Sequence, residues 1–359
     1  MRLGALVADK LYQKQFDLFV PYIQDLAMRD TRETMERPFF SLAKRKRLKP
    51  IEYTSPDGEA FVNVQPHQDY GMATIWDADI LIWAVSTLQT MKNDGVNDLP
   101  RTLTFHPFNL LRAINRNTGG KEYQALKGAL GRLNSTVIKT NIRAKGQQKH
   151  RQFHWIESWS DVQSTDGKNS KGMQITLAEW VYEGLVMDGG VLSINPDYFS
   201  IKGGRERWLY RVARKHAGGA GAGGFKISVP VLFEKSGVEG TYRAFKHFIG
   251  KAATANTLPD FELMLEKAKY GGEPLLRMTK RGAIKKQPSV HTAPNKAFNN
   301  LSDATIATIR KDFSGWDIYA LKAQFDAWLQ NNPDKRPENY EAAFYGFVKR
   351  YHTNNKYQL

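Results

Sequence analysis

The 359-residue chain contains no cysteine. That absence excludes disulfides and every thiolate zinc motif, and it fits a reducing compartment. Long apolar runs are missing too. The stretch at residues 3–8 is too short for a signal core and is followed at once by Asp9 and Lys10, and no segment reaches membrane-spanning length. The expected location is the cytoplasm, with no membrane partner. Signatures of chemistry are equally scarce. The glycine-rich stretch at 218–224 continues into Phe225 and Lys226 and lacks the adjacent Gly-Lys-Ser/Thr of a phosphate-binding loop. His150 and His154 have metal-like spacing, but on a predicted strand residues four apart are separated by about 13 Å and cannot share an ion. No histidine pair brackets a single apolar residue in the manner of metal-dependent nicking initiators, and no tyrosine sits in a recognisable nucleophile context. No catalytic residue, no metal and no cofactor is therefore expected.

What the chain does have is positive charge, and it is concentrated. Of the formal net charge of +16, residues 101–161 carry eleven basic against three acidic side chains, and residues 199–286 carry eighteen against seven. The remainder is close to neutral. A solubility surplus would be spread over the whole surface, whereas two separated basic blocks are two footprints on a polyanion, with duplex DNA the first candidate. Hydrophobic residues make up 41% of the chain, enough to bury cores despite the charge, and the length suggests two or three domains.

Each basic block has the element order of a winged helix. In the first, strand 102–105 leads into a helix opened by Pro107, a turn at 117–120, a second helix over 121–133, a strand at 136–142, a basic hairpin tip at 144–149 and a returning strand at 153–159. Leu126, Ala129, Leu130 and Leu133 form the buried stripe of the second helix. Its opposite face carries Lys121, Gln124, Lys127, Gly128 and Arg132, suited to adenine and guanine edges, while Lys145, Lys149 and Arg151 of the wing would hold phosphates. In the second block an Arg-rich helix at 205–216 precedes strand 225–228, a short helix at 229–235, a turn at 237–240 and a helix over 241–253. A hairpin pairing 261–269 with 275–281 closes it. Arg243, Lys246, His247 and Lys251 form the outer face here, with Lys280 and Arg281 on the hairpin. Arg205, Arg207, Arg211 and Arg214 read either as backbone contacts or as buried partners of acidic residues.

Upstream, residues 9–29 are amphipathic and are followed by strand candidates at 39–42, 51–53 and 61–64. The run Lys44-Arg45-Lys46-Arg47 is a phosphate clamp, a targeting signal or a solvated hairpin flank. A buried helix over 77–88 opens with Asp77 and Asp79, carboxylates that helix capping and the macrodipole favour. The expected organisation is a helical extension at 1–36, a first winged-helix domain at 37–163, a second at 172–281, a flexible linker at 282–300 and a helical module at 301–359. The fold class is α+β: two tandem winged-helix domains followed by a small all-α C-terminal module.

Several runs also resemble a known family. They are Arg37-Pro-Phe-Phe-Ser-Leu-Ala-Lys44, Gly71-Met-Ala-Thr-Ile-Trp-Asp-Ala-Asp-Ile-Leu-Ile82, Thr118-Gly-Gly-Lys-Glu-Tyr-Gln-Ala-Leu-Lys127, Arg205-Glu-Arg-Trp-Leu-Tyr210 and Arg214-Lys-His216. In order, and spanning about 37–281, they resemble the replication initiator protein A family of bacterial plasmids. The resemblance implies a binder of repeated duplex sites at a replication origin. It would help melt a neighbouring AT-rich segment, recruit the host helicase machinery and repress its own promoter as a homodimer, and the helical module at 301–359 is the candidate contact for host replication proteins. A plasmid-encoded repressor and a rolling-circle nicking initiator are the rival readings.

Overall fold

Alternating burial along short strands, and apolar stripes along helices, organise the chain around two separate cores. A computed structural model describes residues 20, 23, 26–96, 98–144, 150–163, 170–267, 272–282, 301–313, 318–332, 337 and 339–355. The chain divides into two units, 1–286 and 287–359. In the first, the strands are β1 (Arg29–Thr31), β2 (Ile51–Thr54), β3 (Phe61–Gln65), β4 (Thr102–Phe105), β5 (Val137–Thr140), β6 (Arg151–Phe153), β7 (Ile156–Gln163), β8 (Ser170–Leu177), β9 (Val191–Ser193), β10 (Phe225–Ser228), β11 (Phe261–Glu266) and β12 (Leu275–Lys280). The helices are α1 (Ala78–Asn93), α2 (Pro107–Ala113), α3 (Gly120–Ser135), α4 (Glu179–Val186), α5 (Gly204–Ala217), α6 (Val229–Ser236) and α7 (Tyr242–Ala255). The class is mixed α+β.

Among the described residues the strands form antiparallel sheets ordered β2-β3-β5-β6, β4-β8-β7 and β10-β12-β11, and a two-stranded one of β1 and β9. Ile51, Tyr53, Val62, Val64 and Ile138 fill the inner face of the first sheet. Helix α1 is buried on nearly every side from Ala78 to Leu88 and forms the centre of the unit.

Several expectations need correction. Residues 39–42 form no strand, and only Ser41 makes a bridge, to Thr74. Phe39, Phe40, Ser41 and Leu42 are all buried, which is incompatible with the in-out alternation of a half-buried strand. The return of the first hairpin is shorter than expected. β5 pairs with β6 over Ile138↔Phe153 to Thr140↔Arg151, and then the chain changes sheet, β7 pairing with β8. The switch occurs at Trp155, fully buried against Phe39, Phe40, Phe153 and Trp180 and donating its backbone N–H to the Leu133 carbonyl. β8, expected to open the second domain, pairs with β4 and β7 of the first, so sheet pairing runs across the boundary at 163–172. Of the helical extension at 1–36, residues 1–19 lie outside the described residues. Residues 29–31 are a strand paired to β9, and Arg32–Thr34 form a single 3-10 turn.

Buried ion pairs also join the two halves of this unit. Asp79 on α1 accepts from Arg207 of α5 at 2.7 and 2.9 Å and from Arg116 at 3.0 Å. Asp30 on β1 accepts from Arg211 at 2.6 Å. Glu36 meets Lys215, Lys235 at 2.9 Å and His216 at 2.9 Å. Burial alone would raise the Glu36 carboxyl, but the hydrogen bonds from His216 and Lys215 and the charges of Lys215 and Lys235 hold it well below the usual carboxylate range. Asp77 does not cap α1 with its side chain. It accepts from the Thr74 N–H and from Arg132.

The second unit packs α8 (Asp303–Asp312), α9 (Ile318–Asn331) and α10 (Tyr340–Asn355) around Ile309, Phe313, Leu321, Phe325, Leu329, Phe344 and Val348. Ser302 caps α8 by accepting from the Thr305 N–H. Residues 283–300 of the expected linker lie outside the described residues.

Candidate nucleic-acid interface

Helix α3 is seated by Leu126, Ala129, Leu130 and Leu133, all buried, and by its packing on β7. Gly119 precedes it in extended conformation and starts the helix without a side-chain cap. The opposite face is the expected one, but its residues divide into two groups. Lys121, Gln124 and Ala125 are exposed, and Gly128 leaves open space apart from the Arg132 guanidinium. Lys127 is tied to Asp161 at 2.6 Å, and Arg132 forms a bidentate pair with Asp77, both bonds 2.8 Å. The hydrogen bonds it donates to Asp77 raise the Arg132 guanidinium still further, so it stays a cation. Arg132 is therefore a fixed internal brace at the edge of the face. On the ribbon, Arg151 is paired with Glu183 and Glu179 of α4. Lys145 and Lys149 lie outside the described residues.

The second device is α7, capped by Thr241, whose hydroxyl accepts from the Ala244 N–H. Phe245 and Ile249 are buried. Gly237 ends α6 in the left-handed region at φ 55° and turns the chain into α7. Arg243, His247 and Lys251 are exposed along the outer face. Lys246 is held by Glu273 at 2.8 Å, and the same carboxylate accepts from the Tyr242 hydroxyl at 2.6 Å. These bonds hold the Glu273 carboxyl below its ordinary value. Lys280 is exposed, whereas Arg281 closes the C-terminal end of the helix, donating to the Asn256 carbonyl at 2.5 Å and the Leu258 carbonyl at 3.3 Å. Between α7 and β11 runs an open trough of about 1070 Å³ lined by Arg243, Lys246, His247, Gly250 and Lys251, with Met264 on the far wall. A Cβ at Gly250 would meet nothing within 4 Å, so the helix backbone is approachable there.

Lys202, Tyr70 and Arg116 are not among the residues expected on the surface beside α3, and the basic tetrad at 44–47 has three readings from sequence. All three residues, with Lys44, Arg45 and Lys46, line a cleft that also includes Ala125 and Arg132 of α3. The one signal available was the tetrad itself, since the other contributors come from distant points in the chain. The arginines of α5 resolve cleanly. Arg207 and Arg211 are buried partners of Asp79 and Asp30, Arg214 donates to the Ser193 carbonyl at 2.5 Å, and Arg205 lies 5.5 Å from the Phe248 ring centre on α7.

Among the described residues no group of three or more His, Asp or Glu side chains is arranged to hold a metal ion. No helix among them is long and apolar enough to cross a membrane.

The chain is similar to crystal structures of domains 2 and 3 of RctB at 11% identity, with TM-scores of 0.49 and 0.45. These cover 68% and 69% of this chain and 96% of each of those chains. In sequence it is 35% identical over 233 residues to a putative replication protein of Wigglesworthia glossinidia brevipalpis, a match covering 64% of this chain and 82% of that protein. The family profile described as replication initiator protein A matches residues 29–263, the stretch that contains α3, the ion-paired helices α1 and α5, and α7. The chain belongs to the replication initiator protein A family.

Proposed function

We propose that this protein is a plasmid replication initiator that binds repeated duplex sites at an origin through two winged helices. α3 and α7 are the recognition helices, each in a major groove, with β5–β6 and β11–β12 as the wings. Lys121, Gln124, Arg243, His247 and Lys251 reach base edges or the flanking phosphates, while Lys145, Lys149 and Lys280 contact the backbone. Lys127, Lys246 and Arg151 reach DNA only by giving up internal carboxylate partners. Arg132 and Arg281 position their helices and do not read bases. The protein acts by binding and carries out no covalent step of its own. Residues 301–359 contact host replication proteins, a homodimer represses the promoter, and the site of action is the cytoplasm.

One observation carries this reading. The two basic blocks of the sequence fold into the same device, a helix buried along one stripe and cationic along the other, followed by an antiparallel strand pair. Nuclease footprinting of the purified protein on the replicon that encodes it, at two salt concentrations, tests the reading. Regularly spaced protections outside the promoter support an origin initiator. Protection of one operator alone points to a repressor, and a covalent tyrosyl adduct on single-stranded DNA points to a nicking enzyme.

A further inference from the structure

The four residues of the basic tetrad do different things. Arg47 is buried and donates to the Gly237 carbonyl at 2.6 Å, the Lys49 carbonyl at 2.8 Å and the Pro50 carbonyl at 3.2 Å. Arg45 reaches Glu239 at 3.0 Å. The bonds to Gly237 and Glu239 anchor the segment to the turn that leads into α7. Lys44 and Lys46 are exposed and line the cleft of about 630 Å³ beside α3, as does the exposed Lys202. The segment therefore lies between the two proposed recognition helices, fixed to one and open beside the other.

The charge balance of the cleft is uneven. Asp77 is taken up by Arg132, and Asp79 beneath it by Arg207 and Arg116. Glu122 in the first turn of α3 is the remaining carboxylate of the lining. Lys44, Lys46 and Lys202 have no carboxylate partner among the described residues. Lys44 sits 5.2 Å above the Trp76 ring, a contact that leaves its ammonium hydrogens available. Three ammonium groups around one open cleft suit an anion of repeated charge. Lysine meets such a group as a hydrated point charge, without the fixed fork that arginine uses to read a base edge.

We propose that Lys44, Lys46 and Lys202 form a phosphate-binding cleft for the backbone of duplex DNA, placed between the footprints of α3 and α7. The assignment rests on the proposed function. It predicts a contact that adds affinity without sequence preference, because phosphates are the same at every base pair.

The test uses the full-length protein and a variant carrying Lys44→Ala, Lys46→Ala and Lys202→Ala, with a matched Lys→Arg variant at the same positions. Binding to a mixed-sequence duplex and to the footprinted duplex is measured across salt concentration. Each lost phosphate contact lowers the salt slope by about 0.9, so three lower it by about 2.7. The fourfold rise from about 50 to 200 mM salt then weakens the alanine variant about 40-fold less than the wild type. Base preference is unchanged, and the arginine variant keeps the wild-type slope. Phosphate ethylation interference should lose its signal between the two helix footprints in the alanine variant only. A wild-type slope and interference pattern in the alanine variant, with specific binding intact, overturns the cleft and leaves the proposed function standing. A wild-type protein without salt-dependent binding to either duplex overturns both. A changed base preference shows that these lysines read bases and overturns the phosphate assignment.

Discussion

Replacing Arg207 by Ala should loosen the joint between the halves of the first unit more than any surface substitution. Its side chain is 5% exposed and that of Asp79 1%. It donates twice to Asp79 and once each to the Ile201 and Phe199 carbonyls, at 2.7 and 2.8 Å, with its guanidinium 5.0 Å from the Tyr198 ring centre. Removing one partner of a buried ion pair costs about 3–5 kcal/mol, most of it from the charge left behind. Asp79 would retain Arg116, which is 19% exposed and holds only one of its oxygens, so the cost falls near the lower figure, about 3 kcal/mol. At about 1.4 kcal/mol per decade, that is roughly a 100-fold loss of protection for the slowest amides of α1 and α5 in hydrogen exchange. The double variant Asp79→Leu with Arg207→Met removes both charges, and it should be more stable than the sum of the single Leu and Met replacements by about 2 kcal/mol. A loss of protection below tenfold for Arg207→Ala, or strict additivity in the cycle, would refute the claim that this pair is the joint.

Three further outcomes are expected. Arg243→Ala should relax base preference at one position by about 1–3 kcal/mol of discrimination, as measured by binding-site selection, while Lys246→Ala, already committed to Glu273, should change it less; the reverse ranking would mean that the outer face of α7 has been misassigned. Gly237→Ala places a Cβ 2.6 Å from the Pro38 Cβ at a residue with φ +55°, and it should cost about 1–3 kcal/mol in thermal unfolding. Glu36, whose folded carboxyl is held below its ordinary value of 4.5, contributes stability that is fully present above that pH and is lost as the pH falls below it, so Glu36→Gln should flatten the acid limb of the stability profile. An unchanged acid limb in that variant would show that Lys215, Lys235 and His216 do not act through the carboxylate.

Helix periodicity made much of this architecture readable, because a stripe such as Leu126, Ala129, Leu130 and Leu133 has one interpretation once the flanking turns are seen. Strands 102–105 and 225–228 were legible from their short apolar pattern and from the helix starts that follow them. Pairing partners were not. Nothing in the letters at 170–177 says that this strand lies between β4 and β7, since pairing is decided by long-range packing around residues such as Trp155. The candidate site shows the same limit. Facing positions on α3 and α7 follow from spacing, but whether a basic residue is exposed or already paired depends on carboxylates far away in sequence. Arg132 and Asp77 illustrate it, as do Lys127 and Asp161. Lys202 carries no local signal at all and joins the surface only because its turn packs beside the tetrad.

The pairing of β1 with β9 has a consequence for how the molecule is made. Arg29 finds its partner in Ser193, and Asp30 finds its guanidinium in Arg211. At about 5–20 residues per second, a ribosome needs roughly 10–30 s to produce those partners after the first strand has emerged. Throughout that interval the nascent first half carries an open strand edge and an uncompensated carboxylate destined for the interior. Its final closure is therefore a late, long-range step, and translation that stops short of α5 yields a chain unable to complete even its own beginning.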